Sequence, residues 1–311
     1  ASVRHNASSV AEIIRENIGS RAWLCIMLFI WLALAYVIVA FTDITAGTFV
    51  GKSDEIRFGR VDFNPGGAVA GAAIMYLGLA VIMGFVQRRF NPPLWLLTVI
   101  FVPATLVAVW LGTKVSSVFV LDAANPVKLW GFIILAYCFV ASLVPVWTLL
   151  QPRGYLGGFI LYMALFLGVV GIFFGGYEIK QEAFKTWNAV GKGGNLIPLF
   201  PFLFVTIACG ACSGFHGLVC SGTTSKQIAK ESDCRPVGFG AMLLEGFVAL
   251  IALATIMIIA PKDAAGLPPG TLYGNGIGEF LTLLIGKHNY LFAVTFGAMA
   301  FSTFVFDTLD V

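Results

Sequence analysis

Long apolar runs alternate with short polar stretches along most of this chain. Residues 23–41, 68–85, 94–110, 129–149, 155–174, 196–211, 237–260 and 291–306 each read as one such run. A helix rises about 1.5 Å per residue, so runs of this kind can cross the roughly 30 Å hydrocarbon core of a bilayer. Charges gather at the run edges: Arg21 and Asp43 flank the first, and Arg88 and Arg89 close the second. The pattern predicts an all-α fold, a polytopic transmembrane helical bundle forming a single membrane domain over residues 1–311.

Between the runs lie weaker signals. Residues 278–286 are too few to cross alone and are expected to form a short surface or re-entrant helix. Residues 261–276, rich in Pro and Gly, read as a loop, and Gln151-Pro152-Arg153-Gly154 reads as a tight polar turn. Two further polar loops are expected, one reaching residue 66 through Lys52, Asp54, Glu55, Arg57, Arg60 and Asp62, the other over 176–195. Near the beginning, Val10, Ile13, Ile14 and Ile18 recur at helical spacing around Arg15 and Glu16, which predicts a short helix on the membrane surface or in a connector. Basic residues beside short turns, Arg88, Arg89 and Arg153 among them, favour a cytoplasmic N-terminal end.

Composition agrees with a bilayer. Only 11% of residues are charged while 59% are hydrophobic, and the mean hydropathy is +0.90. A soluble domain needs about a quarter of its residues charged, whereas a surface facing lipid needs none. The net charge of +3 forms no Lys/Arg stripe, so no nucleic-acid partner is expected. There are six cysteines, and Cys25, Cys138 and Cys209 fall inside apolar runs, where a thiol acts as a small hydrophobe. No phosphate-binding loop or acyl-transfer motif occurs, and no cofactor is called for. The first residue is Ala1 and the last apolar run stops at Asp307–Val311 without a polar tail, so the sequence reads as part of a longer protein.

The most informative segment is FVTIACGACSGFHGLVCSGTTS, residues 204–225. Gly210, Gly214, Gly217 and Gly222 argue against an ordinary continuous helix, while Ser213, His216, Ser221, Thr223 and Thr224 bring hydrogen-bonding groups. Broken helices in membranes are tolerated where they are buried or line a water-filled cavity, and carriers use the exposed helix ends to hold a solute or an ion. A glycine-rich packing helix running into a loop is the plainer alternative. Cys209, Cys212, His216 and Cys220 carry enough ligand types for a metal or redox site, but one Cys-x-x-Cys is a weak signal and no metal is called.

Glu245 lies eight residues into the seventh run, about 12 Å along it. A carboxylate there is costly unless it is paired, protonated or hydrated, and such acids often mark a proton or cation path. By chemistry its partners are His216 or the hydroxyls of 221–225. Asp43 follows the first run and, with Thr45 and Thr48, offers either part of a polar lining or an interfacial helix end. Asp307 and Asp310 read as acids at a helix end.

Residues 195–228 (NLIPLFPFLFVTIACGACSGFHGLVCSGTTSKQI), 145–159 (PVWTLLQPRGYLGGF), 240–253 (GAMLLEGFVALIAL), 296–310 (FGAMAFSTFVFDTLD) and 2–14 (SVRHNASSVAEII) together resemble the carbon starvation protein A (CstA) family of bacterial inner-membrane transporters. The resemblance implies a carrier of the inverted-repeat type with further helices outside this chain. It implies peptide or pyruvate as the small-molecule partner, proton coupling, and use when preferred carbon sources run out. It places Ser213, Gly214 and His216 in an SGFH element, Ser221, Gly222, Thr223 and Thr224 in an SGTT element, and Glu245 as the acid of the following span. From residues and resemblance together, Glu245 and His216 are the expected coupling pair. Ser213, Gly214, Ser221, Gly222, Thr223, Thr224 and Asp43 are the expected solute- or ion-binding groups. Two rival classes stay open, a membrane metabolite sensor or scaffold without transport, and an intramembrane metal or redox protein.

Overall fold

The computed structural model describes residues 2–50, 63–145, 147–184, 186–190, 195–201, 203–204, 207, 214–264 and 266–310. Its main elements are α1 (Val10–Asn17), α2 (Ser20–Val50), α3 (Pro65–Phe90), α4 (Leu94–Lys114), α5 (Pro126–Leu143), α6 (Leu150–Phe174), β1 (Asn188–Val190), β2 (Leu196–Pro198), α7 (Gly214–Val219), α8 (Cys234–Met257), α9 (Pro269–Ile285) and α10 (Tyr290–Asp310). Among the described residues seven helices, α2 to α6, α8 and α10, are long and apolar enough to cross a membrane. The architecture is all-α, a polytopic membrane bundle, apart from one antiparallel hairpin that pairs Ala189 with Ile197. That hairpin occupies the end of the expected 176–195 loop and the start of the expected run 196–211; residues 208–213 fall outside the described set, as do 51–62 of the first long loop.

The chain divides into two compact units, Ala1–Tyr36 with Glu182–Leu250, and Val37–Gln181 with Ile251–Val311. Helices α2 and α8 contribute residues to both.

The second unit is built around α10. Of the seven spans, α2 is the most hydropathic and its most apolar window is 0% buried, whereas α10 is the least hydropathic, with 61% of its window buried. This ordering suits a bilayer, where the oiliest surface faces outward and small or weakly polar side chains pack inside. Ala293, Phe296, Met299, Ala300 and Ser302 of α10 are all buried.

Helix α9 packs most closely on α10, and it corrects two expectations. Residues 269–276 are helical rather than loop, and 278–286 are the end of a 17-residue helix whose residues are largely buried. Pro269 stands at its first turn, where the missing N–H costs nothing, and Gly286 ends it at φ 78°. Its glycines allow close contact: a methyl group on Gly274 would lie 2.7 Å from Ala298 Cβ, and one on Gly276 would enter the Thr255 side chain.

Helix α6 corrects a third expectation. Gln151, Pro152, Arg153 and Gly154 form its first turn rather than a polar loop, and proline is compatible with that position. Arg153 is therefore no guide to membrane orientation, since it is enclosed. Helix α3 begins with the Asn64 side chain accepting the Gly67 N–H at 2.8 Å and ends at Asn91 in the left-handed region, φ 43°. Near that end the Arg88 guanidinium lies 4.0 Å from the centroid of the Trp147 ring.

The first unit contains the expected N-terminal helix, α1. It opens with a reciprocal cap in which the Ser9 hydroxyl accepts the Glu12 N–H and the Glu12 carboxylate accepts the Ser9 N–H at 2.8 Å. These bonds hold the Glu12 carboxyl below the usual carboxylate range, the backbone bond from Ser9 being the larger cause.

Candidate functional site

Residues 214–225, the described end of the segment read as either a broken helix or a glycine-rich packing helix, are helical throughout but change their winding. Helix α7 gives way at Cys220 to a π-helical turn over Cys220–Thr224, followed by Ser225–Gln227. Wide turns of this kind are rare and occur often at functional sites. Hydroxyls support the geometry: Ser221 Oγ donates to the Leu218 carbonyl at 2.9 Å, and Ser225 Oγ donates to the Ser221 carbonyl at 3.0 Å. Serine side chains commonly compete for helix carbonyls in this way.

The turn is also tied to the beginning of the chain. Ser2 Oγ donates to the Ser221 carbonyl at 2.8 Å and lies 2.9 Å from Ser225 Oγ, and the Val10 N–H donates to Ser221 Oγ at 3.3 Å. Arg4 forms an ion pair with Glu231, whose hydrogen bond and charge raise the arginine above its ordinary pKa. Ser221 thus joins the N-terminal segment to the turn, a role that sequence reasoning did not anticipate because the partners lie 211 and 219 positions away.

His216 is on α7 and Glu245 near the middle of α8, about 17 Å from its first residue at ~1.5 Å per residue. The structure brings them together: His216 Nδ1 lies 3.6 Å from Glu245 Oε2. That is ion-pair distance but longer than a direct hydrogen bond. Both side chains are partly open, at 57% and 40% exposure. Imidazole and carboxylate at this spacing can hold one proton between them or separate it into an ion pair, and a carboxylate in an apolar span gains from either state.

The other expected site residues are spread more widely. Gly214 begins α7, and Gly222 lies within the π turn with open space where a side chain would stand. Thr224 is half-buried in the same turn. Ser213, Cys209 and Cys212 lie outside the described residues, as do the side chains of Thr223, Asp307 and Asp310. Among the described residues no group of three or more His, Cys, Asp or Glu side chains gathers as for a metal ion. Asp43 belongs to the second unit. It is exposed within α2, which continues to Val50, so it is neither a helix end nor on the side of Thr45 and Thr48. Those threonines are buried and donate to carbonyls of their own helix, Phe41 and Ile44, at 2.8 and 3.0 Å.

Sequence reasoning missed Arg153. Its side chain is 0% exposed. Nη1 donates to Tyr137 Oη at 3.3 Å, Nη2 reaches the Thr303 carbonyl at 3.5 Å, and the guanidinium lies 5.6 Å from the centroid of the Phe306 ring. The Arg153 carbonyl accepts a 2.6 Å hydrogen bond from Tyr76 Oη. A buried cation in a membrane bundle is expensive and marks a position under functional or assembly constraint. The available signal was a lone arginine just before an apolar run, which reads equally as a flanking charge.

The family described as "Carbon starvation protein CstA" matches residues 1–273. A peptide transporter CstA of Helicobacter pylori is 39% identical over 196 residues, which is 60% of this chain and 28% of that protein. A peptide transporter CstA of Bacillus subtilis is 32% identical over 266 residues, 85% of this chain and 42% of the relative. A pyruvate/proton symporter, BtsT of Escherichia coli, is 45% identical over 150 residues, 45% of this chain and 20% of the relative. The matched regions thus span less than half the length of these relatives. No solved structure matches the chain.

Proposed function

This chain belongs to the carbon starvation protein CstA family, and from that premise we propose that it is one membrane domain of an inverted-repeat secondary carrier that moves a small carboxylated solute across the bacterial inner membrane. Pyruvate and short peptides are the candidate solutes, since relatives bear the names of a peptide transporter and a pyruvate/proton symporter and both solutes present a carboxylate. Uptake is coupled to protons at Glu245 and His216 and serves the cell when preferred carbon sources run out.

The single observation that carries the coupling assignment is the 3.6 Å separation of His216 Nδ1 and Glu245 Oε2 beside a π turn. An ionised Glu245 facing an apolar medium is costly, so the carrier keeps it hydrated or paired. Taking up a proton removes or balances that charge and lowers the cost of closing the path around it. The gate state then follows the proton. In this reading Ser213, Gly214, Gly222, Thr223 and Thr224 line the solute or ion path, and Ser221 holds the turn in shape.

The test uses the full-length protein in liposomes containing a pH-sensitive dye. Pyruvate or a dipeptide added outside is expected to drive proton uptake, and Glu245→Gln is expected to abolish the proton signal while solute counterflow persists. Proton uptake that survives in Glu245→Gln overturns the coupling assignment. Solute binding without any counterflow in the wild-type protein overturns the carrier reading in favour of a sensor.

A further inference from the structure

In the second unit a cavity of about 160 Å³ opens where the chain leaves α6 and α8, with Tyr177, Lys180, Asp263, Asn275, Glu279 and Tyr290 on its lining. Its walls are fixed by hydrogen bonds across elements. Tyr177 Oη donates to the Glu279 carbonyl at 2.9 Å, the Lys180 N–H to the Met257 carbonyl at 2.9 Å, and Gln181 Nε2 to the Ile259 carbonyl at 2.6 Å. The Tyr177 ring also rests on Phe280, centroids 5.6 Å apart. The cavity is therefore preformed, as small-molecule sites usually are.

Its charge pattern is unusual for a chain with so few charges. Two carboxylate residues and one lysine line the same small space. Among the described residues the half-buried Glu279 side chain has no hydrogen bond and no ion pair. The C-terminal end of α8 adjoins the cavity through Ile258 and adds partial negative charge, which favours a cation. The Tyr177 phenol is held above its ordinary pKa, first by burial and second by the charge of Glu279. A ligand carrying only positive charge would oppose Lys180, and one carrying only negative charge would oppose Asp263 and Glu279.

We propose that this cavity binds a small zwitterion, its ammonium group held by Glu279 and its carboxylate by Lys180. The volume corresponds to about five waters at ~30 Å³ each, enough for glycine or a molecule of similar size. The site is separate from the Glu245–His216 pair and does not depend on the transport reading.

Calorimetry on the full-length protein in nanodiscs tests the site, with glycine as probe and ethylamine and acetate as single-charge controls. Glycine is expected to bind more tightly than either control. Glu279→Gln is expected to weaken glycine and ethylamine by about tenfold or more, and Lys180→Met to weaken glycine by a similar factor while leaving ethylamine unchanged. A thermal unfolding midpoint within the wild-type range confirms that each variant is folded. Glycine binding that is the same in wild type and in a folded Glu279→Gln overturns the proposal, as does ethylamine binding as tightly as glycine, which identifies a simple cation site. If Glu279→Gln does not fold, loss of glycine binding in Lys180→Met supports the proposal and unchanged binding overturns it.

Discussion

His216 and Glu245 face each other across 3.6 Å from two different helices, one short and interrupted, the other a full span. If they share a proton, removing either one changes what the other can do. Glu245→Gln and His216→Asn are therefore expected to be non-additive: each alone reduces pyruvate-driven proton uptake in liposomes, and the double variant is no worse than the more damaging single one. Fully additive losses would mean that the residues act independently.

Arg153 and its neighbours predict a graded effect on stability. Tyr76→Phe removes one neutral hydrogen bond and is expected to cost about 1 kcal/mol. Arg153→Lys keeps the charge but loses the planar fork that reaches Tyr137 and Thr303, at an expected cost of about 1–3 kcal/mol. Thermal unfolding in detergent ranks the two. A stability unaffected by Arg153→Lys would show that the guanidinium geometry is not used.

Glycine substitutions separate packing positions from permissive ones. Gly274→Val drives a branched side chain into Ala298 and is expected to destabilise by about 1–3 kcal/mol. Gly158 in α6 has open space at the corresponding position, and Gly158→Ala is expected to stabilise the helix by about 0.5–1 kcal/mol. The same unfolding measurement checks both, and the opposite signs are the informative result.

The cap of α1 predicts a pH dependence. Glu12 has its carboxyl pKa lowered by Ser9, so its contribution is present above the ordinary carboxylate range and is lost as pH falls through the lowered value. The hydrogen-exchange protection factors of residues 10–17, taken relative to the intrinsic rate at each pH, are expected to fall in acid, and Ser9→Ala is expected to remove most of that change. An α1 equally protected across the acidic range in both proteins would count against the cap.

The spans α2 to α6, α8 and α10 were legible because hydrocarbon demands length and apolarity, properties that sit in consecutive residues. Glu245 stood out for the same reason, as a charge inside such a run. Helix α9 did not. Its glycines cost helix stability locally, and what offsets that cost is contact with Ala298 and Thr255 on other helices. Arg153 was hidden likewise, since its enclosure depends on Tyr137 and Thr303, which no local pattern connects to it. The hydroxyls of 221–225 suggested a binding surface, yet that of Ser221 holds Val10, a link visible only in three dimensions.

The surroundings of Arg153 also bear on how the protein is made. Tyr76 and Tyr137 precede it and have already left the ribosome when it emerges, but the Thr303 carbonyl comes 150 residues later. At ~5–20 residues per second, that interval is roughly 8–30 s. During it a guanidinium destined for the interior lacks one wall of its enclosure, so the nascent bundle stays unfinished at the start of α6 until α10 is delivered.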